Sequence, residues 1–445
     1  MTRSPSRERR RAYDLLESVR RGTRADVAIE RAGEGLDPRD RAFLTELAYG
    51  TIRWKGLLDH RLDRLLDQGI DSVPGPVASI LELGAYQLLF MDSVPAFAAV
   101  DESVALARAA LPPKHRRWAP GLVNGVLRNL ERARDRPIGP DPEHDLVDYL
   151  AIRWSHPRWL VGRWLDRWGR RRTEALLERD NAAPSVHLAV HPGKTSREAV
   201  LDRLAGEGIE ATPHPLADRA VVLGGGVAPE SLPGWREGWF WVQDAGAQLV
   251  VAAADAPAGS TVLDACSAPG AKLAGMVAAG ARGAAALDVD AHRMRRVREN
   301  VARLELEGVR AAVADARAVP TARRFDVVLA DVPCSGTGVL ARRPDARWRR
   351  RPGDPNRFAT VQREILDELA DRVAPGGALV YATCTLEPEE NQDVVEAFLE
   401  SHDGFVLEPV GSRVPEAARN GPYLFTPPWR ADVDGMFAAR LRRSR

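Results

Sequence analysis

The chain has 445 residues, of which 44% are hydrophobic and 28% charged, and its formal net charge at pH 7 is +1. This length exceeds what one hydrophobic core normally organises, so we expect two or three domains. Because the net charge is near zero, the overall composition does not indicate a nucleic-acid partner. The sequence has no long apolar run and no secretory segment, so we expect neither a membrane span nor a secretory signal.

Cysteine and lysine usage narrows the chemistry. Three cysteines predict a reducing cytoplasm rather than a disulfide framework, and no Cys/His cluster has zinc-ligand spacing, so no metal is expected. Only four of the 63 Lys+Arg residues are lysines. In such an arginine-rich chain each lysine is a candidate for a role that a guanidinium fills badly. The four are Lys55, Lys114, Lys194 and Lys272.

Residues 1–135 predict an all-helical domain. Apolar residues recur at helical spacing, residues 80–90 predict a central helix, and prolines separate the segments. The arginines near the start either contact RNA phosphates or form a solvated helix face, and the pattern leaves both open. They are Arg3, Arg7, Arg9, Arg10, Arg11, Arg20, Arg21 and Arg24.

Two segments of this region resemble the RNA-binding domain of the NusB family of antitermination factors. Residues 95–104 read Pro-Ala-Phe-Ala-Ala-Val-Asp-Glu-Ser-Val, and residues 121–130 read Gly-Leu-Val-Asn-Gly-Val-Leu-Arg-Asn-Leu. The resemblance covers roughly the first 130 residues. It implies a helical bundle that contacts RNA.

A Pro- and Asp-rich linker near residues 135–145 precedes a small α+β domain at 145–235. Its first helix interleaves arginines with Trp164 and Trp168, which invites a base-stacking role, but both tryptophans fall on the apolar stripe and are predicted to be core. Short strands at 186–190 and 220–223 flank a helical segment.

Residues 236–445 show the alternation of strands and helices that predicts a doubly wound sheet. The predicted strands are residues 261–263, 284–287, 309–313, 326–330 and 378–382. Residues 331–338, Asp-Val-Pro-Cys-Ser-Gly-Thr-Gly, follow one strand, and Thr-Cys-Thr at 383–385 follows another. Cys334 and Cys384 are either buried small residues or reactive thiols, and their matched placement at carboxyl strand ends favours chemistry.

Asp288 ends the second strand, where an acid holds ribose hydroxyls or caps the next helix. The first loop lacks G-x-G-x-x-G and therefore offers no pyrophosphate site. A nucleoside cofactor without phosphates, such as S-adenosyl-L-methionine, fits better. A divergent nucleotide-binding enzyme is the alternative.

Three motifs resemble the RNA cytosine-C5 methyltransferases: residues 264–272, 331–338 and 381–391. With the NusB-like front end, the chain is similar to the bacterial 16S rRNA (cytosine-C5)-methyltransferases of the RsmB/Sun group over nearly its whole length, including residues 242–244 and 434–437. The implied fold is an all-α NusB-like bundle, a small α+β insert and a C-terminal α/β Rossmann-like methyltransferase domain.

The resemblance also implies roles. Cytosine C5 is a poor nucleophile, so a thiolate must first add to C6, and this splits one difficult step into easier ones. Residue types alone do not order the two cysteines; by resemblance Cys384 is the nucleophile, Cys334 assists product release and Asp331 polarises the ring near N3. Cofactor contacts are implied for Cys266, Ser267, Ala268, Pro269, Gly270, Ala271, Lys272, Asp288, Asp315 and Asp331.

Two features qualify this interpretation. The family usually has Gly-Gly-Lys-Thr where residues 270–273 read Gly-Ala-Lys-Leu. If position 271 requires a positive φ, alanine there costs about 1 kcal/mol. The basic strip at 342–351, which contains Arg347 and Trp348, is predicted to contact RNA rather than form a merely solvated face.

The expected substrate is a cytosine in 16S ribosomal RNA, in unassembled or early small-subunit form, and the expected enzyme is a cytoplasmic monomer. Two alternatives remain open. One is an RNA-binding assembly or antitermination factor with an inactive methyltransferase fold, and the other is a tRNA cytosine-C5 methyltransferase.

Overall fold

A computed structural model describes residues 4–137 and 139–445, so Arg3 of the predicted basic cluster lies outside the described residues. The chain forms two compact units. The first contains residues up to Ala182 together with Leu340–Arg350, and the second contains Ala183–Val339 and Arg351–Arg445.

The first unit is helical, which confirms the all-α prediction for the N-terminal region. Apolar stripes close over one core that includes Leu15, Leu47 and Leu81, and α5 is buried along most of its length, as expected of a central helix. Local signals set the boundaries, because Ser6 and Asp37 cap α1 and α3. The helices are α1 Arg7–Arg20, α2 Ala25–Gly33, α3 Pro38–Arg53, α4 Lys55–Asp63, α5 Gly75–Phe90, α6 Ala96–Ala110, α7 Pro113–Arg116, α8 Ala119–Arg132, α9 Leu146–Arg153 and α10 Arg158–Asn181.

In α10, Trp164 is only 1% exposed, which confirms its predicted core position. Trp168 is half-buried, with the Arg167 guanidinium 4.7 Å from its ring centre. The helix is interrupted at Gly169, whose φ of 72° favours glycine.

The second unit begins with a small antiparallel sheet of order β2-β3-β1-β4, with the helix α11 between its first two strands in sequence. The alternating short strands therefore form the predicted α+β insert. Its elements are β1 Val186–Val190, α11 Arg197–Gly206, β2 Ala211–Pro213, β3 Ala220–Leu223 and β4 Phe240–Val242.

The larger sheet of this unit has nine strands in the order β11-β12-β13-β9-β8-β5-β6-β7, with β10 paired to β13. The five strands from β9 to β7 are parallel, and β13 joins β9 antiparallel. Its strands are β5 Thr261–Asp264, β6 Gly283–Asp288, β7 Val309–Val313, β8 Phe325–Asp331, β9 Val373–Thr383, β10 Phe405–Glu408, β11 Arg419–Asn420, β12 Tyr423–Phe425 and β13 Phe437–Arg443.

Between the strands run the helices α12 Ala245–Ala254, α13 Ala271–Ala278, α14 Ala291–Arg303, α16 Asp354–Ala370 and α17 Gln392–Ser401, while α15 Pro344–Arg349 belongs to the first unit. The strand order reverses between β5 and β8. In open α/β sheets the crevice beyond such a reversal is where ligands bind. Both cysteine loops and the loop after β5 lie at this end of the sheet.

Among residues 4–137 and 139–445, no helix is long and apolar enough to cross a membrane. The same residues contain no group of three His, Cys, Asp or Glu side chains arranged to hold a metal ion.

Candidate active site

The parallel neighbours β8 and β9 carry one cysteine loop each. Asp331 pairs in register with Ala382, so the chain leaves both strands at the same level. The sulfur atoms of Cys334 and Cys384 consequently lie 3.3 Å apart as free thiols, and the backbone N–H of Cys384 donates to the Cys334 sulfur at 3.4 Å. Sheet register therefore brings the two strand-end cysteines into one site.

The two thiols are not equivalent. The hydrogen bond to Cys384 and then burial hold the pKa of Cys334 well above its usual value. Cys334 therefore keeps its proton at neutral pH, while either sulfur can be the donor in the contact between the two thiols. A protonated thiol is a poor nucleophile, so attack by either cysteine first requires that its thiol lose a proton.

Lys272 and Asp331 form an ion pair beside these thiols, with Nζ and Oδ2 2.7 Å apart. Burial opposes the charge on Lys272, but the Asp331 carboxylate more than compensates, and the pKa of the ammonium is raised. A lysine ammonium is a compact charge with three rotatable N–H donors, unlike the planar guanidinium fork of arginine. This contact is consistent with a specific role for the lysine.

Asp264 ends β5 next to this pair and is 1% exposed. The Ser267 hydroxyl and the Cys266 backbone N–H lie close enough to its carboxylate to lower its pKa slightly, but none of these contacts reaches full hydrogen-bonding geometry in the described structure. Burial, followed by the negative charge of Asp331, raises the pKa of Asp264 to about 7. Unsatisfied buried polar groups at a strand-end loop mark the place where a polar ligand completes the structure.

The loop after β5 forms a tight turn into α13. Its positive φ of 95° belongs to Gly270, whereas Ala271 is the first residue of the helix. The strain considered for alanine at 271 therefore does not arise. Burial raises the pKa of Cys266, so the third cysteine is a neutral thiol in this loop.

Asp288 ends β6 and is almost fully buried. Its carboxylate accepts the backbone N–H groups of Ala268 at 3.2 Å and Asp290 at 3.0 Å, and Arg293 lies 3.4 Å away. Asp290, not Asp288, caps α14, so the helix-cap alternative is wrong. The carboxylate instead joins the loop that contains Ala268 to the end of β6, where a ribose would lie.

Asp315 follows β7 and is held by Arg317 through a 2.8 Å ion pair. Hydrogen bonds from Arg317 lower the pKa of Asp315 and keep it ionised. Asp315 is set apart from the Lys272–Asp331 pair, because β7 is the outermost parallel strand of the sheet on the side away from β9.

A buried polar network beneath the two cysteine loops was not anticipated from sequence. Glu390 accepts hydrogen bonds from the Ser335 N–H at 2.7 Å, from Gln362 at 3.0 Å and from the Thr385 hydroxyl at 3.2 Å. The hydroxyl of Thr337 lies 3.0 Å from that of Thr385. One carboxyl group thus ties the loop after β8 to the loop after β9. Glu390 lies within the motif at residues 381–391, but Gln362 lies in the middle of α16, where no sequence pattern indicates a role in this network.

Two further motif segments of the chain meet beside these loops. Asp244 accepts the N–H of Asp434 at 3.0 Å, and the N–H of Gly435 donates to the Gly338 carbonyl at 2.7 Å. A Cβ at Gly338 would collide with the backbone of Gly435. The glycines are therefore required for this close approach of backbones.

The prediction that Arg347 and Trp348 contact RNA is wrong. Arg347 is fully buried in the first unit, where it donates to the carbonyl oxygens of Ser155 at 3.0 Å and Asp180 at 3.0 Å and to Asn181 at 2.8 Å. The Trp348 indole N–H donates to the Ile52 carbonyl at 2.7 Å. Basic-aromatic spacing did not distinguish a docking segment from an RNA-contacting strip. Arg343, Arg349 and Arg351 of the strip are exposed.

Comparison with known proteins agrees with this architecture. A family profile described as "16S rRNA methyltransferase RsmB/F" matches residues 252–442, a NusB family profile matches residues 6–132, and a RsmF/B-like ferredoxin-like domain profile matches residues 156–229. Among solved structures, the crystal structure of PH0851 has a TM-score of 0.82 at 23% identity over 100% of both chains. NSun6 from Pyrococcus horikoshii with SFG has a TM-score of 0.57 at 20% identity, over 65% of this chain and 98% of that one. At these identities the two structures establish the fold.

Sequence relatives establish the family. The chain is 35% identical to the probable ribosomal RNA small subunit methyltransferase B of Synechocystis sp., over 98% of this chain and 99% of that protein. It is 34% identical to the ribosomal RNA small subunit methyltransferase B of Cronobacter sakazakii, over 97% of each. The chain therefore belongs to the ribosomal RNA small subunit methyltransferase B family of S-adenosyl-L-methionine-dependent RNA methyltransferases.

Proposed function

We propose that the protein methylates C5 of a cytosine in 16S rRNA through a covalent adduct between Cys384 and C6 of the base. The observation that carries this proposal is the pair of free thiols 3.3 Å apart beside the Lys272–Asp331 ion pair. A methyltransferase acting on a nucleophilic nitrogen or oxygen would need no such thiol pair, because its target needs no activation by an adduct.

The chain's residues divide the reaction into two halves. In the first, the Cys384 thiolate adds to C6 while N3 takes a proton from solvent and the N3–H donates to the Asp331 carboxylate, and the electron pair displaced from the C5–C6 bond makes C5 nucleophilic. The N3 proton returns to solvent when the adduct breaks down. The bound S-adenosyl-L-methionine supplies the methyl group that C5 takes. The family resemblance, not a measured contact, is the basis for orienting Asp331 toward N3.

In the second half, the C5 proton must leave and the C6–S bond must break to regenerate the thiolate. Once Cys384 is bonded to carbon, the thiolate that held the proton on Cys334 is gone. The pKa of Cys334 then falls, its thiol proton is lost to solvent, and the resulting thiolate can take the C5 proton. Elimination breaks the C6–S bond and returns the electron pair to Cys384, which leaves Cys384 as a thiolate and Cys334 as a thiol, as before the reaction.

For the cofactor, we propose contacts from the loop at 266–272 to the methionine end, from Asp288 to the ribose and from Asp315 to the adenine side. The unsatisfied carboxylate of Asp264 and hydroxyl of Ser267 fit a ligand that carries polar groups into this crevice. The absence of a pyrophosphate loop fits a nucleoside with no phosphates.

We also propose functional divisions at 1–135 for RNA binding, 145–235 for an RNA-binding or connecting domain and 236–445 for catalysis. The substrate is unassembled or early small-subunit RNA, and the protein acts in the cytoplasm. Every proposed catalytic group comes from one chain, so a monomer suffices.

Bisulfite sequencing of total RNA tests the proposed position. A strain lacking the protein should lose one 5-methylcytosine signal in 16S rRNA, and the wild-type gene but not its Cys384→Ala variant should restore it. Loss of a tRNA signal would instead identify the alternative substrate, and an unchanged pattern would exclude cytosine-C5 methylation.

A further inference from the structure

The first unit contains a cavity of about 330 Å³ between the start of α4, the end of α5, the segment after α8 and the end of α9. Its wall combines aromatic and cationic side chains with two leucines and one carboxylate, that of Asp135, so three arginines face one acid. Those that matter here are Trp54, Arg61, Phe90, Arg134, Arg153 and Trp154. A volume of this size is at the lower end of small-ligand sites, which begin near ~300 Å³.

Arg61 is the unusual member. It is 9% exposed, and its guanidinium has no carboxylate within 4.0 Å among the residues that the structure describes. Its Nε has no hydrogen-bond partner, and one Nη makes only a 3.5 Å contact with the Ala133 carbonyl. A buried cation without an anion is costly, so its retention at a cavity wall points to an anionic or strongly accepting ligand.

Trp154, another residue of the wall, also has an unpaired donor. Its indole N–H is buried and has no acceptor in the described structure. The Arg61 guanidinium offers only N–H donors, so a complementary ligand must supply acceptors, as phosphate oxygens and base carbonyls do.

Stacking surfaces and outer cations complete the arrangement. Trp54 and Phe90 are stacked, with ring centres 4.6 Å apart and planes inclined by 22°. The Arg153 guanidinium is exposed and lies 5.4 Å from the ring centre of Trp154. Arg134 is half-exposed and paired only loosely, at 3.5 Å, with the exposed Asp92. Aromatic faces beside cations are how proteins hold unpaired bases and their phosphates.

We propose that this cavity binds one unpaired nucleotide of the substrate RNA. The base packs against Trp54, the outer ring of the stacked set Trp54–Phe90–Tyr86, its acceptor oxygens meet the Arg61 guanidinium, and the flanking phosphates lie against Arg134 and Arg153. This inference rests on the proposed RNA substrate. It adds a separate anchoring site within the helical unit, formed by residues other than the two cysteines and their loops.

The test measures binding of a labelled single-stranded 16S-derived RNA to the full-length protein by fluorescence anisotropy. Arg61→Gln and Arg153→Gln should each weaken RNA affinity about tenfold, the loss of one charged contact to a base or phosphate. The matched control is Arg39→Gln on α3, an exposed arginine that does not line the cavity and whose substitution removes the same charge. It should change affinity by less than about twofold, as one distant surface charge does. Because Arg153 is exposed, its variant tests the site even if Arg61→Gln folds poorly.

Separate readouts distinguish this proposal from the proposed reaction. Cofactor affinity and kcat at saturating RNA should be unchanged in Arg153→Gln while KM for RNA rises, and ultraviolet crosslinking should join RNA to peptides containing Trp54 or Trp154. Equal effects of the Arg39 and Arg153 variants would overturn the site. Saturable displacement of the RNA by submillimolar inorganic phosphate, or by an acidic peptide with equal affinity, would also overturn it in favour of a general anion site.

Discussion

Glu390 offers a quantitative test of the network that joins the two cysteine loops. Burial is the first cause that raises its pKa from the ordinary 4.5 to about 7. Raising the pKa of a carboxyl group by this much on folding corresponds to about 3 kcal/mol of folding free energy. Because the folded pKa is raised, this contribution is fully present below the unfolded pKa and is lost as pH rises through 7.

Glutamine resembles the protonated carboxyl group and can still accept from Ser335 and Gln362. We therefore expect Glu390→Gln to exceed the wild type in stability by less than about 1 kcal/mol near pH 5 and by about 3 kcal/mol above pH 8. The titration of Asp264 also makes the free energy of unfolding depend on pH. This contribution is the same in the wild type and the variant, so it cancels when their stabilities are subtracted.

The assay is urea unfolding of the full-length protein between pH 5 and pH 9, monitored on the transition of the second unit. Glu396→Gln, on the exposed face of α17, controls for loss of a carboxylate. A wild-type-minus-variant difference that does not change with pH would refute the assignment of a titrating, buried Glu390.

Two other predictions concern buried cations. Arg347→Ala leaves several buried carbonyl oxygens unpaired, so it should lower the stability of the first unit by about 3 kcal/mol or more. Thermal unfolding measures this loss, and Arg347→Lys should be intermediate. An unchanged melting temperature would show that these contacts contribute little. Lys272→Met removes the charge-assisted partner of Asp331 and should reduce methyl transfer about 100-fold at nearly unchanged melting temperature. The control Lys194→Met breaks the 2.6 Å pair with Glu305 and should retain activity. Equal losses of activity in the two variants would contradict a specific role for Lys272.

The local sequence pattern was sufficient to predict a helix or strand wherever a single hydrophobic periodicity extends over the whole segment. The strands that end at Asp264, Asp288 and Asp331 were predicted because buried parallel strands are continuous apolar runs followed by polar loops. The side-by-side placement of the cysteines needed sheet order as well, which the general rule for parallel strands supplied.

Local pattern failed where the partner of a residue lies far along the chain. Arg347 meets carbonyl groups 166 to 294 residues away, and nothing in its own segment signals them. The same is true of Gln362, whose contacts with Glu390 and Pro333 depend on how α16 packs. The 3.3 Å separation of the two sulfurs likewise depends on sheet order, and it does not by itself assign the nucleophile, since either sulfur can be the donor.

The most direct test of the covalent mechanism compares the two cysteine variants on RNA in a denaturing gel. If Cys384 attacks C6, Cys384→Ala binds RNA and cofactor but yields no protein–RNA band. If Cys334 takes the C5 proton, Cys334→Ala attacks and methylates but then stalls, and a slow band that survives denaturant accumulates. Cys384→Ser should not restore turnover, because a hydroxyl is far harder to ionise. A stable band from Cys384→Ala and none from Cys334→Ala would contradict the account and assign the nucleophile to Cys334.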